Sequence, residues 1–399
     1  MRIIEKDHDG IGTILAFILI PLSGFATDIY LPSLPAMADQ LHATNAEVQL
    51  TIVFFLISYG ISQLFIGSLL DSFGRYRITI AALLLFSIAS FTIANAHNVY
   101  IIYLMRIVHG ITVAAIVVGK RAYFVDIFSG EKLKHYTSLF SIVWSAAPII
   151  APFFGGYLQT AFGWESNFYL IGYFALIMLV LELIFGGESL KVYQKFHFKS
   201  IVQIYSNMLK TLSFSLGLIM LGLSNAMFMV YGMSGPFIIE HTFHDSAITT
   251  GYCSLALGVS LLLGGFLGKA LINYPFFKKL AIAIGIQFIL TAIMICIPLA
   301  YTNLITMMAF AFSIHFIAGF VFNNYFSFCL SLFPENAGIA SGVTGGALYV
   351  ITSVLSYSIV SLIPAKSQAS LGLSYMVLVL LSVLTFALIR KKVMVSSPA

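Results

Sequence analysis

Charge is what this sequence avoids. Only 9% of its 399 residues are Asp, Glu, Lys or Arg, against about 25% in a soluble domain. A chain that is 60% hydrophobic, with mean hydropathy +0.99, has more apolar surface than a soluble core absorbs. An ordinary soluble fold is therefore excluded, and a polytopic membrane protein is expected. Cysteine is nearly as scarce. Cys253, Cys296 and Cys329 lie far apart in apolar segments, which argues against a disulfide framework or zinc site and for small buried apolar residues. Catalytic signatures are missing as well: there is no His-Glu-x-x-His, Gly-x-Ser-x-Gly or aspartate pair, so an intramembrane enzyme is disfavoured. No Gly-x-x-x-x-Gly-Lys-Ser/Thr segment occurs, so ATP is not the driver. Net charge is +5, but no basic face stands apart from the apolar signal, and nucleic acid is not an expected partner.

What is present is a series of apolar runs. About 20 apolar residues cross ~30 Å of hydrocarbon, and twelve such stretches are expected, near 11–32, 47–69, 77–97, 99–120, 136–161, 166–186, 211–238, 247–271, 278–299, 302–332, 336–364 and 370–389. Their recurrence to the end of the chain rules out reading the first as a signal peptide. A receptor of seven spans does not fit, and no repeated pore element suggests a channel. Basic residues test the count. With the N-terminus cytoplasmic, Arg75 and Arg77 fall in loop 2–3, and Lys120, Arg121, Lys132 and Lys134 in loop 4–5. Lys191, Lys195, Lys199 and Lys210 fall in loop 6–7, Lys269, Lys278 and Lys279 in loop 8–9, and Arg390, Lys391 and Lys392 after the last span. Lys366 alone falls outside. Both termini are thus expected in the cytoplasm. The division is an N-terminal six-helix half over 1–187, a central cytoplasmic loop over 188–210 that carries Glu188, and a C-terminal six-helix half over 211–399. Such a 6+6 pattern suggests duplication.

Ionisable groups inside spans are costly and are functional candidates by default. Asp28 lies in the first span, within GFATDIYLP, and Arg106 in the fourth. Counted from the expected outer ends, Asp28 is ~6 Å deep and Arg106 ~10 Å. A shared aqueous cavity and electrostatic coupling between them are expected. Burial and a nearby guanidinium pull a carboxyl's proton affinity in opposite directions, so a carboxylate poised between them can gain and lose a proton as its access alternates. The bland alternative is a static ion pair joining spans 1 and 4. Glu182, at the inner end of span 6, is expected to snorkel to the interface. His315, in span 10, is read as a hydrogen-bonded packing residue that could still touch substrate. Glu240, His241, His244 and Asp245, at the outer end of span 7, have a metal-like spacing, but an exposed polar loop is the default, and no metal is assigned.

Three segments carry a resemblance. Loop 2–3 reads GSLLDSFGRYR, and its Gly67, Asp71, Gly74, Arg75 and Arg77 resemble motif A of the major facilitator superfamily. There the loop stabilises the outward-facing state, which implies a gating role. LMRIVHG in span 4 looks like motif B, with Arg106 and Gly110 matching and His109 in place of the usual Gln. The motif implies proton coupling for Arg106. His109, one turn away, either adds a titrating group or replaces a hydrogen-bonding amide. SAAPIIAPFFGGYL in span 5, with Pro148, Pro152, Gly155 and Gly156, resembles motif C of drug:proton antiporters, which marks exporters. TDIYLPSLP, SGPF and PENAGIASG add a resemblance to the Bcr/CflA (bicyclomycin-resistance type) multidrug efflux group. Loop 8–9, GKALIN, lacks the acidic and arginine positions of motif A.

The resemblance implies an all-α polytopic membrane protein with twelve transmembrane helices in two six-helix halves, the major facilitator fold. It implies a proton-coupled exporter of small organic molecules or drugs in a bacterial inner membrane. Such a protein acts as a monomer, is driven by the proton gradient and uses no cofactor. Spans 1, 4, 7 and 10 then line the substrate site. Candidates are Phe25 and Tyr30, then Asn225, Phe228, Met229 and Tyr231, then His315, Asn323 and Asn324. A dedicated exporter of one metabolite, such as a siderophore or amino-acid derivative, is the alternative.

Overall fold

The computed structural model describes residues 9–193, 198–297 and 301–396. Lys195, and the side chains of Ser145, Lys199 and Asn336, lie outside them. The chain divides by its internal contacts into two units, Met1–Ile201 and Val202–Ala399. The first holds α1 (Asp9–Leu19), α2 (Leu22–Asp28), α3 (Leu34–Gln40), α4 (Asn45–Phe73), α5 (Arg75–Ala94), α6 (Val99–Ile127), α7 (Gly130–Phe162) and α8 (Glu165–Phe185). After the connecting α9 (Phe198–Lys210), the second holds α10 (Leu212–Phe237), α11 (Ala247–Ala270), α12 (Phe276–Cys296), α13 (Leu304–Ser331), α14 (Ala337–Leu362) and α15 (Gln368–Ser396). Among the described residues, 11 stretches are long and apolar enough to cross a bilayer. The 33-residue α7, with Pro148 and Pro152 inside it, occupies the fifth expected span and completes the twelve.

The two units pair their helices alike. In the first, α4 packs on α6, α5 on both α6 and α8, and α2 on α7. In the second, α11 packs on α13, α12 on both α13 and α15, and α10 on α14. Each pairing is repeated six spans later, the structural form of the expected duplication. Helix faces turned outward are apolar, as with Leu84, Leu85 and Ile88 of α5, since hydrocarbon rather than water surrounds them. Starts are set by local chemistry. Thr44 Oγ1 accepts from the Glu47 amide at 3.3 Å while the Glu47 carboxylate accepts from the Thr44 amide at 2.8 Å, a capping box.

Five expectations need correction. The first span does not end near residue 32. It continues over Gly10–Gln40 as a broken helix, α1–α2–α3 with a single tight turn at Leu31–Ser33. Pro21, Pro32 and Pro35 stand at the breaks, where a missing N–H and a fixed φ interrupt the ladder. Asp28 therefore ends α2 in the interior of the span. α6 runs to Ile127, so Lys120 and Arg121 are helical rather than in a loop. Buried Lys120 pairs with Glu182, which is 1% exposed and does not snorkel. The central connection is not all loop, since α9 fills its second half. Of the cysteines, Cys253 and Cys329 are buried but Cys296 is exposed, and all three are free thiols.

Candidate functional site

The charges of the first and fourth spans meet inside the first unit. Arg106, wholly buried on α6, has no carboxylate within ion-pair distance among the described residues. Its Nη1 donates to the Ala26 carbonyl at 2.8 Å, and its Nε to the Thr51 carbonyl at 3.3 Å. The guanidinium carbon lies over the rings of Tyr30, at 4.8 Å, and Phe55, at 4.4 Å. Two backbone carbonyls and two π-faces thus stabilise a cation that would otherwise be costly to bury. Tyr30 is in turn tied to Thr51 by hydroxyls 2.9 Å apart.

Asp28 is two residues beyond the carbonyl that Arg106 holds and is 2% exposed. The static ion pair is absent. Asp28 Oδ1 has no hydrogen-bond partner, and neither has Arg106 Nη2. An acceptor and a donor with capacity to spare therefore stand in one buried region. Native structures satisfy almost all such groups, which makes this buried region a candidate for handling a proton or a polar ligand.

His109 completes the cluster. Its Nδ1 lies 3.4 Å from Arg106 Nη1, which can only donate. Its Nε2 is 3.0 Å from Ser90 Oγ, which donates to the Phe86 carbonyl at 2.8 Å. The pattern assigns a neutral ring, accepting at Nδ1 and donating at Nε2. Phe86 stacks on that ring at 4.3 Å. This supports the amide-replacing alternative for His109. The antiporter-like segment adds the fourth wall. α7 packs on α2, and any Cβ at the buried Gly155 would collide with the Ile29 carbonyl beside Asp28. Pro152 and Gly156 are buried on the same helix, and Pro148 lies against Gly24 of α2.

The segment resembling motif A forms a second cluster where α4 turns into α5. Arg75 pairs with Asp71 at 3.1 Å and with Asp126 at 2.5 Å. Glu188 accepts from the backbone amides of Arg75 at 3.1 Å and Tyr76 at 3.2 Å. A carboxylate at a helix N-terminus is favoured by both the free amides and the dipole. Ser189 donates to Asp126 at 2.7 Å. Gly74 has φ +96°, and a Cβ there would lie 2.6 Å from the Glu188 carboxylate. Arg77 is exposed, and no atom lies within 4 Å of a Cβ placed on Gly67. Asp126, Glu182, Glu188 and Thr51 carry much of this geometry but were given no such role from sequence. The signal for Glu188 was its being an acid in a basic connection; Thr51 acts through its carbonyl, which no side-chain pattern reveals.

In the second unit the candidates form a different kind of cluster. His315 is wholly buried. Its ring meets those of Phe228 and Tyr231 at 6.0 Å and Tyr375 at 5.7 Å, all edge to face. Its Nδ1 lies 2.6 Å from the Ala311 carbonyl, and the Tyr231 hydroxyl donates to Met308 Sδ at 3.5 Å. Met229 is buried nearby in sequence on α10. Asn225 donates to Thr352 at 3.2 Å, and Asn324 to the Phe320 carbonyl at 2.8 Å. Asn323 and Phe25 are partly exposed. Among the described residues, no group of three His, Cys, Asp or Glu side chains could hold a metal. Asp245 instead accepts from the Ser246 amide and Thr249 hydroxyl at the start of α11.

The Major Facilitator Superfamily model matches residues 16–357. A Bicyclomycin resistance protein homolog of Haemophilus influenzae is 32% identical over 44% of each chain. Multidrug resistance protein MdtL of Shewanella oneidensis is 26% identical over 88% of this chain and 89% of its own. Among solved structures, a bacterial homolog of the human lysosomal transporter Spinster, inward-facing and unoccupied, superposes with TM-score 0.72 at 14% identity, covering 99% of this chain and 100% of its own. At that identity the likeness concerns the fold alone.

Proposed function

The chain belongs to the Major Facilitator Superfamily, and from that premise we propose that it exports small organic molecules, drugs among them, in exchange for protons, by alternating access. It is a multi-pass membrane protein and a small-molecule transporter. The finer reading is ours: a bacterial inner membrane, both termini cytoplasmic, a monomer, no enzymatic step and no cofactor beyond the proton gradient. The observation that carries it is Asp28, buried at a helix end with an unpartnered carboxylate oxygen beside a guanidinium held by backbone carbonyls. A carboxylate fixed by an ion pair would have no reason to release or take a proton. Asp28 is free to do so, and Arg106 keeps a positive charge beside it throughout.

The relatives named for multidrug and bicyclomycin resistance support the export direction and an organic substrate. So does the apolar, aromatic surround of His315, where Phe228, Tyr231 and Tyr375 offer polarisable faces to varied ligands. Asp28, Arg106 and His109 form the proton-coupling group in this proposal. Asp71, Arg75 and Gly74 hold the gate.

The test is transport by purified protein in proteoliposomes with an imposed pH gradient, using drugs from a growth-inhibition panel. Wild type should move substrate as the gradient dictates. Asp28→Asn should lose gradient-driven flux by about 10-fold or more while still exchanging substrate for substrate. Full gradient-driven flux in Asp28→Asn would end the proposal.

A further inference from the structure

The second unit carries a groove that the transport reading does not use. It has a volume of about 880 Å³ and runs between α12 and α13, closed at one end by the α11–α12 turn. That volume falls in the range of ligand pockets. Its walls are aliphatic and aromatic, among them Ile282, Ile286 and Leu290 of α12 and Phe316 of α13. Ile282 and Ile286 are exposed on the outside of the helix pair, where hydrocarbon is the expected solvent. Lys278 and Lys279 stand at the closed end with Tyr274, and no carboxylate lines the groove among the described residues.

Length, charge and polarity each narrow the occupant. From Lys278 to Leu290 the α12 wall spans twelve residues, roughly 18 Å at ~1.5 Å per residue. That is close to half of the ~30 Å hydrocarbon thickness, the depth of one leaflet. Lys279 donates to the Leu271 carbonyl at 2.8 Å, which fixes its ammonium at that closed end. Lys278 is exposed beside it. Tyr274, also exposed, sits where aromatic side chains mark the membrane–water interface. Clustered lysines at the end of an apolar groove between spans select anionic headgroups. An organic cation, by contrast, is repelled there.

We propose that this groove seats an anionic phospholipid of the leaflet on the loop's side, its chains along α12 and α13 and its phosphate at Lys278 and Lys279. The degenerate loop 8–9, which lacks an ion-pair latch, then has a lipid headgroup as its counter-charge.

Native mass spectrometry of the full-length chain, released from mixed micelles holding equal phosphatidylglycerol and phosphatidylcholine, tests this. Wild type should retain one phosphatidylglycerol in preference, by roughly fivefold for each engaged lysine. Lys278→Gln with Lys279→Gln should abolish the preference, while Lys132→Gln in the first turn of α7 should leave it unchanged. Ala283→Trp, which fills the groove without touching charge, should lower retention of both lipids. Equal retention by wild type overturns the proposal. So does a preference that survives the double lysine change, or one that survives groove filling, since the charge would then act without the groove.

Discussion

The two units use one pattern of helix pairing for opposite chemistry. In the first, the buried centre is Arg106 held by the carbonyls of Ala26 and Thr51, with an unpartnered Asp28 oxygen close by. In the second, the buried centre is His315, its Nδ1 against its own helix and aromatic rings around it. The turns differ in the same sense. The α4–α5 turn is locked by Arg75 with Asp71 and Asp126 and by Glu188 on the α5 amides. Among the described residues the α11–α12 turn shows no such ion pair, and there Lys279 donates to the Leu271 carbonyl. The repeated helix pairing is the shared scaffold. Those buried and turn-locking charges are concentrated in the first unit, and in the proposed function protonation and gating are thereby separated from ligand contact in the second.

The comparison is broken most severely at Arg106. Arg106→Ala leaves two buried carbonyls and two ring faces without their cation. It should cost about 1–3 kcal/mol for each carbonyl left unsatisfied, read as a fall in the apparent Tm of the purified protein. His315→Phe keeps an aromatic ring among aromatic rings. It should alter which compounds are transported while leaving the pH-gradient dependence of flux within about twofold, so a loss of gradient dependence would erase the contrast between units. Gly74→Ala forces a side chain to φ +96° and crowds the Glu188 carboxylate. The expected cost is about 1–3 kcal/mol, again as apparent Tm, with no counterpart on substituting a residue of the α11–α12 turn. Glu188→Gln keeps an acceptor but removes the charge at the α5 N-terminus, and should cost about 0.3–1 kcal/mol, more at low salt than at high.

Much of this was legible in the chain. Hydropathy gave the spans because a bilayer imposes a length on every helix. The spacing of glycines, Asp71 and Arg75 marked the gating turn, and Asp28 and Arg106 stood out as charges in apolar runs. Depth counting put these two at similar height by assuming a straight first helix. They share one buried region without an ion pair, and Asp28 is in the interior of a helix that three prolines break. The Lys120–Glu182 pair was missed because Lys120 was read as a residue of loop 4–5 and Glu182 as a charge reaching for the interface. Glu188 was missed because its partners are backbone amides 113 and 112 positions away in sequence.

By itself, then, the sequence determined that the chain spans a membrane, how often, and which rare charges it places there, because transfer free energy depends on residue type and run length alone. Tertiary structure decided which of those charges are neutralised. Lys120 finds a carboxylate, Arg106 finds carbonyls and rings, and Asp28 finds neither, because a partner's position depends on how helices far apart in sequence are packed.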